Sequence, residues 1–457
     1  MSEDIEFDVI CIGGGPAAEA LAGALDGSDL SLAVIESNLV GGECPYWGCI
    51  PSKTLLRSAE VLAEAGRTRE LAASEVSWKV DYPRIYKRTF EMARELDDSK
   101  SAAGLEKTGA RLLRGEGRLA GPHTVEVDGS RLSARRAVVI ATGTAASIPP
   151  IDGVDTVDYW TNREAVLAKE QPERLVVIGA GPVGVELAQA YIRFGTKVHL
   201  VEPSRYPVPL EEEAAGKQLQ EALIREGVEV SCGAKVVRLA QQGEEVSVTL
   251  ASGDVIKADR VLLATGRKPN LDGFDLDAAG VSRTDRGGLR VDAATLEVAD
   301  GIYAIGDIAG LGGFTHLATY HGTVVGRVLR GRQVSVDHRA IPRVTFTDPE
   351  IASVGISEAQ ARETGVKVKV AGIDDLFNGT ARGYIHGEPG GLMKLVADQE
   401  KRVVVGATLV GPHSGEMIGE LALAIRAEVG LDTLADVVHA FPTFARALQQ
   451  IFDELAG

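Results

Sequence analysis

The chain has 457 residues, 45% of them apolar, and a formal charge of −17. That length accommodates roughly two to four domains, and so acidic a chain argues against nucleic acid or an anionic membrane as a main partner. Four cysteines make no disulfide scaffold, no apolar stretch reaches the roughly 18 residues of a membrane span, and the acidic run Met1 to Phe7 is no secretory leader; together these point to the reducing cytoplasm.

The first apolar run, residues 7–12, reads as a strand. It leads into Gly13-Gly14-Gly15-Pro16-Ala17-Ala18, a helix over 19–25, and a second strand over 32–36 that ends in Glu36. Gly13-x-Gly15-x-x-Ala18 is a spacing that lets backbone turn tightly against a pyrophosphate, while the following helix offers it free N–H groups. Glu36, about twenty residues on, suits a ribose diol. Cys44 and Cys49 follow, inside Gly-Gly-Glu-Cys-Pro-Tyr-Trp-Gly-Cys-Ile-Pro-Ser-Lys. The spacing predicts that both thiols meet on the first turn of a helix and close a small, reducible disulfide to which a flavin could pass electrons. Tyr46 and Trp47 between them are expected to shape a pocket, and residues 54–115 read as two long amphipathic helices.

A second copy of the opening pattern starts near residue 174. An apolar run leads into Gly179-x-Gly181-x-x-Gly184, a helix over 185–194, and a strand over 197–202 that ends in Glu202. Each copy has a later echo: Val138 to Gly143, with Thr142-Gly143, and Val261 to Gly266. One Gly-rich turn is a weak signal; two, each after a strand and each with its acid in place, mark two dinucleotide sites. Alternating strands and helices predict parallel, doubly wound sheets. Glu202 favours a free 2′-hydroxyl over a 2′-phosphate, hence NAD over NADP, although a lone Arg205 leaves NADP open. A strand ends at Gly306-Asp307, and from about Ile341 the pattern changes to a compact α+β module with strands over 391–396 and 403–410 and helices over 415–427 and 443–456. Cys11 and Cys232 read as packing thiols.

Cys44-x4-Cys49 followed by Ile-Pro-Ser-Lys between two nucleotide units resembles the flavoprotein pyridine nucleotide-disulfide oxidoreductases, the group of dihydrolipoamide dehydrogenase, glutathione reductase and mercuric reductase. The resemblance spans essentially the whole chain, through the two Ala-Thr-Gly runs, Thr347-Asp348-Pro349-Glu350 and Gly411-Pro412-His413-Ser414-Gly415. It implies an FAD domain (1–148 and 270–335), an inserted NAD domain (149–269) and a C-terminal dimerisation domain (336–457): two Rossmann-like domains plus an α+β module. It implies a homodimeric enzyme whose site is completed by the partner. FAD would be held by Gly13, Gly15, Ala18, Glu36, Thr142, Gly143, Gly306 and Asp307, and the nicotinamide dinucleotide by Gly179, Gly181, Gly184, Glu202 and Gly266. Cys49 would face the flavin, Cys44 the substrate. Lys53 would sit near the flavin and pair with Glu186.

The chain departs from that pattern once. The family's His-x-His-Pro-Thr-x-x-Glu appears here as His439-Ala440-Phe441-Pro442-Thr443-Phe444-Ala445-Arg446, so the acid/base His is Phe441 and its orienting Glu is Arg446. Neither moves a proton at neutral pH. His439, His316 and His321 are the remaining candidates for a proton donor. The expected function is electron transfer from NAD(P)H through flavin and the Cys44–Cys49 couple to a small-molecule acceptor. Direct flavin-to-quinone reduction, ordinary dihydrolipoamide dehydrogenase activity, and thiol chemistry like that of ketopropyl-coenzyme-M carboxylase, which resembles this chain in having Phe in that slot, stay open.

Overall fold

A computed structural model describes residues 5–457; Met1 to Asp4, the start of the acidic N-terminal run, lie outside the described residues. The chain divides into two compact units. The first comprises the chain up to Pro51, then Lys87–Ser147 and Arg267–Asp337; the second comprises Ser52–Tyr86, Ile148–Gly266 and His338–Gly457.

The first unit is built on a sheet whose strands run, from one edge, Glu297–Ala299, Ile302–Ala304, Ser130–Ile140, Ile5–Ile12, Leu32–Glu36 and Arg111–Arg114. All neighbours from Ile302–Ala304 onward are parallel. Parallel strands covered on both faces must be apolar on both. Accordingly Val9 and Cys11 lie in the core on one face while Ile10 and Ile12 lie in the core on the other. The helices Pro16–Leu25 and Thr315–Leu329 pack together on the first of these faces. They approach so closely that a Cβ at Gly322 would stand 2.1 Å from Ala17 O. This contact fixes both the Gly-rich turn at the start of one helix and Thr315 at the start of the other.

The second unit contains a five-stranded parallel sheet ordered Glu229–Cys232, Lys197–Glu202, Arg174–Ile178, Arg260–Leu263, Tyr159–Trp160. It also holds an antiparallel sheet ordered Arg343–Thr345, Ile351–Gly355, Val403–Val410, Leu392–Asp398, Val368–Ile373. Helices Ser414–Arg426 and Arg446–Ala456 bury Met417, Leu421, Leu448 and Phe452 in the same core as Leu395 and Leu409 of that sheet. Residues 52–86 group with this unit because Leu55, Leu56, Ala59 and Tyr82 pack in one cluster with Leu187 and Tyr191.

The expectation of two long helices over 54–115 is corrected. One long helix, Cys49–Gly66, is followed by Thr68–Leu71, Tyr82–Met92 and Ser99–Lys107, and then by the strand Arg111–Arg114. A left-handed turn through Arg94, Glu95 and Leu96 (φ 56°, 53° and 60°) breaks the helical path. Asp97 then accepts the Ser99 N–H at 2.9 Å, so the side chain competes with helix continuation. Gly109, at φ 84°, turns the chain into the strand.

Gly322→Ala is expected to destabilise the first unit by about 1–3 kcal/mol, because neither backbone can yield to an added methyl. Gly23→Ala on the partner helix has nothing within 4 Å of the new Cβ and should gain about 0.5–1 kcal/mol from helix propensity. Calorimetric unfolding of the two variants checks the opposite signs.

Candidate active site

The two Gly-rich turns are built alike down to single atoms. Gly13 has φ 105° and Gly179 φ 101°; a Cβ would stand 2.3 Å from Ala141 O at the first and 2.4 Å from Ala264 O at the second. Only glycine tolerates that conformation and that approach together. Each turn is then tied down by the acid that ends the next strand. Glu36 accepts the Gly14 N–H at 2.6 Å and the Asn38 N–H at 2.7 Å. Glu202 accepts the Ala180 N–H at 2.7 Å and the Ser204 N–H at 2.9 Å. The sequence offsets, 22 residues back and 2 forward, are identical. The two sites differ at their third position. Ala18 is accommodated and fully buried, whereas a Cβ at Gly184 would stand 2.0 Å from Gly179 O.

Around the first turn, Thr142 and Asn270 lock together through Thr142 Oγ1–H to Asn270 O (2.8 Å) and Asn270 Nδ2–H to Thr142 O (2.9 Å). Asn270 N–H also reaches Gly143 O at 3.1 Å. The Gly306 N–H donates to His321 Nδ1 at 3.2 Å, which makes the fully buried His321 a brace for the Gly306-Asp307 turn. Thr144 donates to Asp307 at 3.2 Å. Burial pushes the Asp307 carboxyl above its usual range, with Arg267 and Thr144 opposing. Around the second turn, Gly266 has φ 106° and open space beyond it. Arg205 is engaged, 3.2 Å from Glu213 and over the Tyr206 ring.

The cysteine loop follows the first turn, and Gly42 Cα lies 3.9 Å from where a Gly15 Cβ would be. The expectation that both thiols share one helical turn is corrected: Cys44 lies in a separate four-residue helix, Glu43–Tyr46, and Cys49 opens the next, Cys49–Gly66. The sulfurs are unlinked thiols. The neighbouring Cys49 thiol, followed by burial, holds the Cys44 thiol far above the usual range. Tyr46 proves to be structural, fully buried with its hydroxyl on Val40 O at 2.9 Å and its ring edge-on to Trp47. Cys11 is buried and Cys232 partly so; burial pushes both thiols up, Cys232 to about 11, which makes them poor nucleophiles.

In the second unit, Lys53 Nζ stands 2.7 Å from Glu186 Oε2. Two further features were not read from the sequence. Glu186 Oε1 accepts the Phe346 N–H at 2.9 Å, and the Lys53 ammonium sits 4.7 Å from the Phe346 ring centroid. Glu186 is thus buried yet satisfied on both oxygens, as a buried carboxylate must be. Of the C-terminal residues, Phe441 is 73% exposed and Arg446 is exposed. His439 is half-buried, its side chain lying between Glu420 Oε1 (3.0 Å from Nε2) and Gln449 Oε1 (3.1 Å from Nδ1). Thr315, which the sequence did not single out, touches Cys49 and carries no motif that would have revealed the contact.

Lys53→Met would leave Glu186 with a single backbone donor. The expected loss is about 1–3 kcal/mol, the lower part of the buried-pair range because the lysine side is partly solvated. Glu186→Gln, which keeps an acceptor for Phe346, should cost less; denaturation midpoints of the two variants test the order.

Residues 7–322 match the family described as pyridine nucleotide-disulphide oxidoreductase, and residues 341–451 match its dimerisation domain. The chain is 34% identical over 463 residues to a dihydrolipoyl dehydrogenase of Mycobacterium tuberculosis, covering 99% of this chain and 98% of that one. It is 32% identical over 453 residues to a mercuric reductase of Lysinibacillus sphaericus, covering 98% and 82%. Among solved structures it is similar to LpdA from M. tuberculosis (TM-score 0.87, 26% identity, 99% of both chains). It is also similar to the Cu(II) complex of the HOCl-induced flavoprotein disulfide reductase RclA from Escherichia coli (TM-score 0.85, 26% identity, 98% and 99%). Members of this family are enzymes that use FAD and NAD(P)H. No described helix is long and apolar enough to cross a membrane. With twin dinucleotide turns, a paired dithiol and matches over nearly its full length, the chain belongs to the pyridine nucleotide-disulphide oxidoreductase family.

Proposed function

We propose that this chain takes electrons from NADH, passes them through flavin to the Cys44–Cys49 couple, and delivers them to a soft, thiophilic metal cation, acting as a cytoplasmic homodimer. The observation that carries the reading is the pair of neighbouring thiols, Cys44 and Cys49, in the loop that follows the first Gly-rich turn. When bound, FAD accepts two electrons from a reduced nicotinamide and exchanges them with a neighbouring disulfide.

The residues present fit that group. Gly13 and Gly15 leave backbone bare where side chains would fill the cradle. Glu36 spends part of its acceptor capacity on Gly14 and Asn38 and keeps the rest for ribose hydroxyls. Asp307, a half-buried carboxyl with Thr144 as its hydrogen-bonding side chain, suits a sugar or ribityl hydroxyl. At the second turn the buried Glu202 repels a 2′-phosphate, and Arg205 is drawn off by Glu213; both favour NADH over NADPH. The Lys53–Glu186 pair supplies a fixed cation one helical turn beyond Cys49.

The acceptor class follows from what Phe441 and Arg446 lack. Cleaving an ordinary disulfide releases a thiolate that needs a proton, and removing the group that delivers it costs about 10²–10⁴-fold. A cation held by sulfur takes electrons without a proton being delivered to a leaving group. The mercuric reductases among the relatives and the Cu(II) complex of RclA support this class. The dimerisation domain and the exposure of Val438 (95%) and Phe441 support a homodimer in which this segment is covered by the partner.

Stopped-flow reoxidation of the NADH-reduced enzyme by Hg²⁺, Cu²⁺, lipoamide, glutathione disulfide and a quinone tests the reading, with NADPH as the alternative donor. The metals should reoxidise fastest, NADH should outperform NADPH, and Cys44→Ser should abolish metal turnover while leaving flavin reduction by NADH intact. Faster turnover of lipoamide or glutathione disulfide would contradict the acceptor class. Full turnover in Cys44→Ser would show that flavin reduces the acceptor directly.

A further inference from the structure

The dithiol has a third partner, 266 positions away in the chain: Thr315 Oγ1 lies 3.4 Å from Cys49 Sγ. The same hydroxyl opposes the upward shift of the Cys44 thiol. Thr315 opens the helix Thr315–Leu329, whose seat is set by the close contact of Gly322 with Ala17, so its position is fixed by packing rather than by the loop it touches. A hydroxyl donates once and accepts at its lone pairs. It can therefore accept S–H from a thiol and donate O–H to a thiolate.

We propose that Thr315 is a catalytic residue of the dithiol chemistry: its O–H donates to the thiolate of the Cys44–Cys49 pair and holds the reduced pair in its singly ionised form near neutral pH, in a chain where Phe441 and Arg446 provide no imidazole to do so. The inference rests on the reading of Cys44 and Cys49 as the redox couple. In the ionisation step one S–H bond breaks and its proton leaves to solvent. The other sulfur keeps its proton and shares it across the pair, Thr315 retains its own proton, and no electrons move. Ionisable groups near the pair include Glu43, next to Cys44, whose charge reaches Asp307, and His316, next to Thr315. All of them stay unchanged when only Thr315 is altered.

A hydrogen bond to a charged partner is strong enough to move a thiol ionisation by about one pH unit. The test uses the holoenzyme reduced anaerobically with one equivalent of dithionite. Two readouts are followed against pH: the long-wavelength thiolate–flavin band, and the rate of iodoacetamide labelling of Cys49 by mass spectrometry. Thr315→Val should shift both profiles upward by about one unit, and Thr315→Ser, which keeps the hydroxyl, should follow the parent protein. Should Thr315→Val fold poorly, Thr315→Ala reads the same loss. Unshifted profiles without the hydroxyl overturn the assignment, and so does a Thr315→Ser profile shifted as far as that of valine, which would trace the effect to the methyl group. These outcomes stand apart from the Cys44→Ser turnover assay, whose failure would remove the redox couple itself.

Discussion

Each nucleotide unit depends on a carboxylate that holds down a glycine turn. Glu36 and Glu202 each accept one N–H from the turn itself and one from just beyond their own strand. This locks strand, turn and second strand into one rigid corner. The corner keeps bare backbone facing outward, and that is what lets a pyrophosphate approach main-chain N–H groups. In the first unit the corner also fixes the dithiol, because Gly42, at the root of the cysteine loop, packs against Gly15.

The pair of sulfurs is then governed by its immediate surroundings. Cys49 and burial push the Cys44 thiol far above its usual range, and Cys49 has a hydroxyl neighbour in Thr315. Neither Phe441 nor Arg446 can act as an acid or base at neutral pH. The lysine that follows the pair is steadied by a buried glutamate and an aromatic face, a three-part clamp of which sequence reading had found two parts.

The legible features were those set by short-range backbone needs. Gly13, Gly179, Glu36 and Glu202 could be found because turn geometry and strand length fix their spacing, and the parallel sheets followed from the same repeats. Cys44 and Cys49 were legible as a pair but not in their local geometry, since the break between Tyr46 and Cys49 leaves no composition signal. Residues 54–115 misled because an amphipathic pattern continues across the left-handed turn at Arg94 to Leu96. Thr315, Phe346 and the bracing role of His321 were not legible, because each acts through a contact far away in sequence or through a backbone atom. His439 read as a possible proton donor; its contacts with Glu420 and Gln449, side chains of two other helices, were not legible.

The central claim is that electrons from the dinucleotide reach the sulfur couple. Counting labelled thiols in air-oxidised enzyme before and after one anaerobic equivalent of NADH tests it most directly. The account predicts that two thiols appear, assigned by mass spectrometry to Cys44 and Cys49, with Cys11 and Cys232 unchanged; a flavin that bleaches while both cysteines keep their labelling state would contradict it.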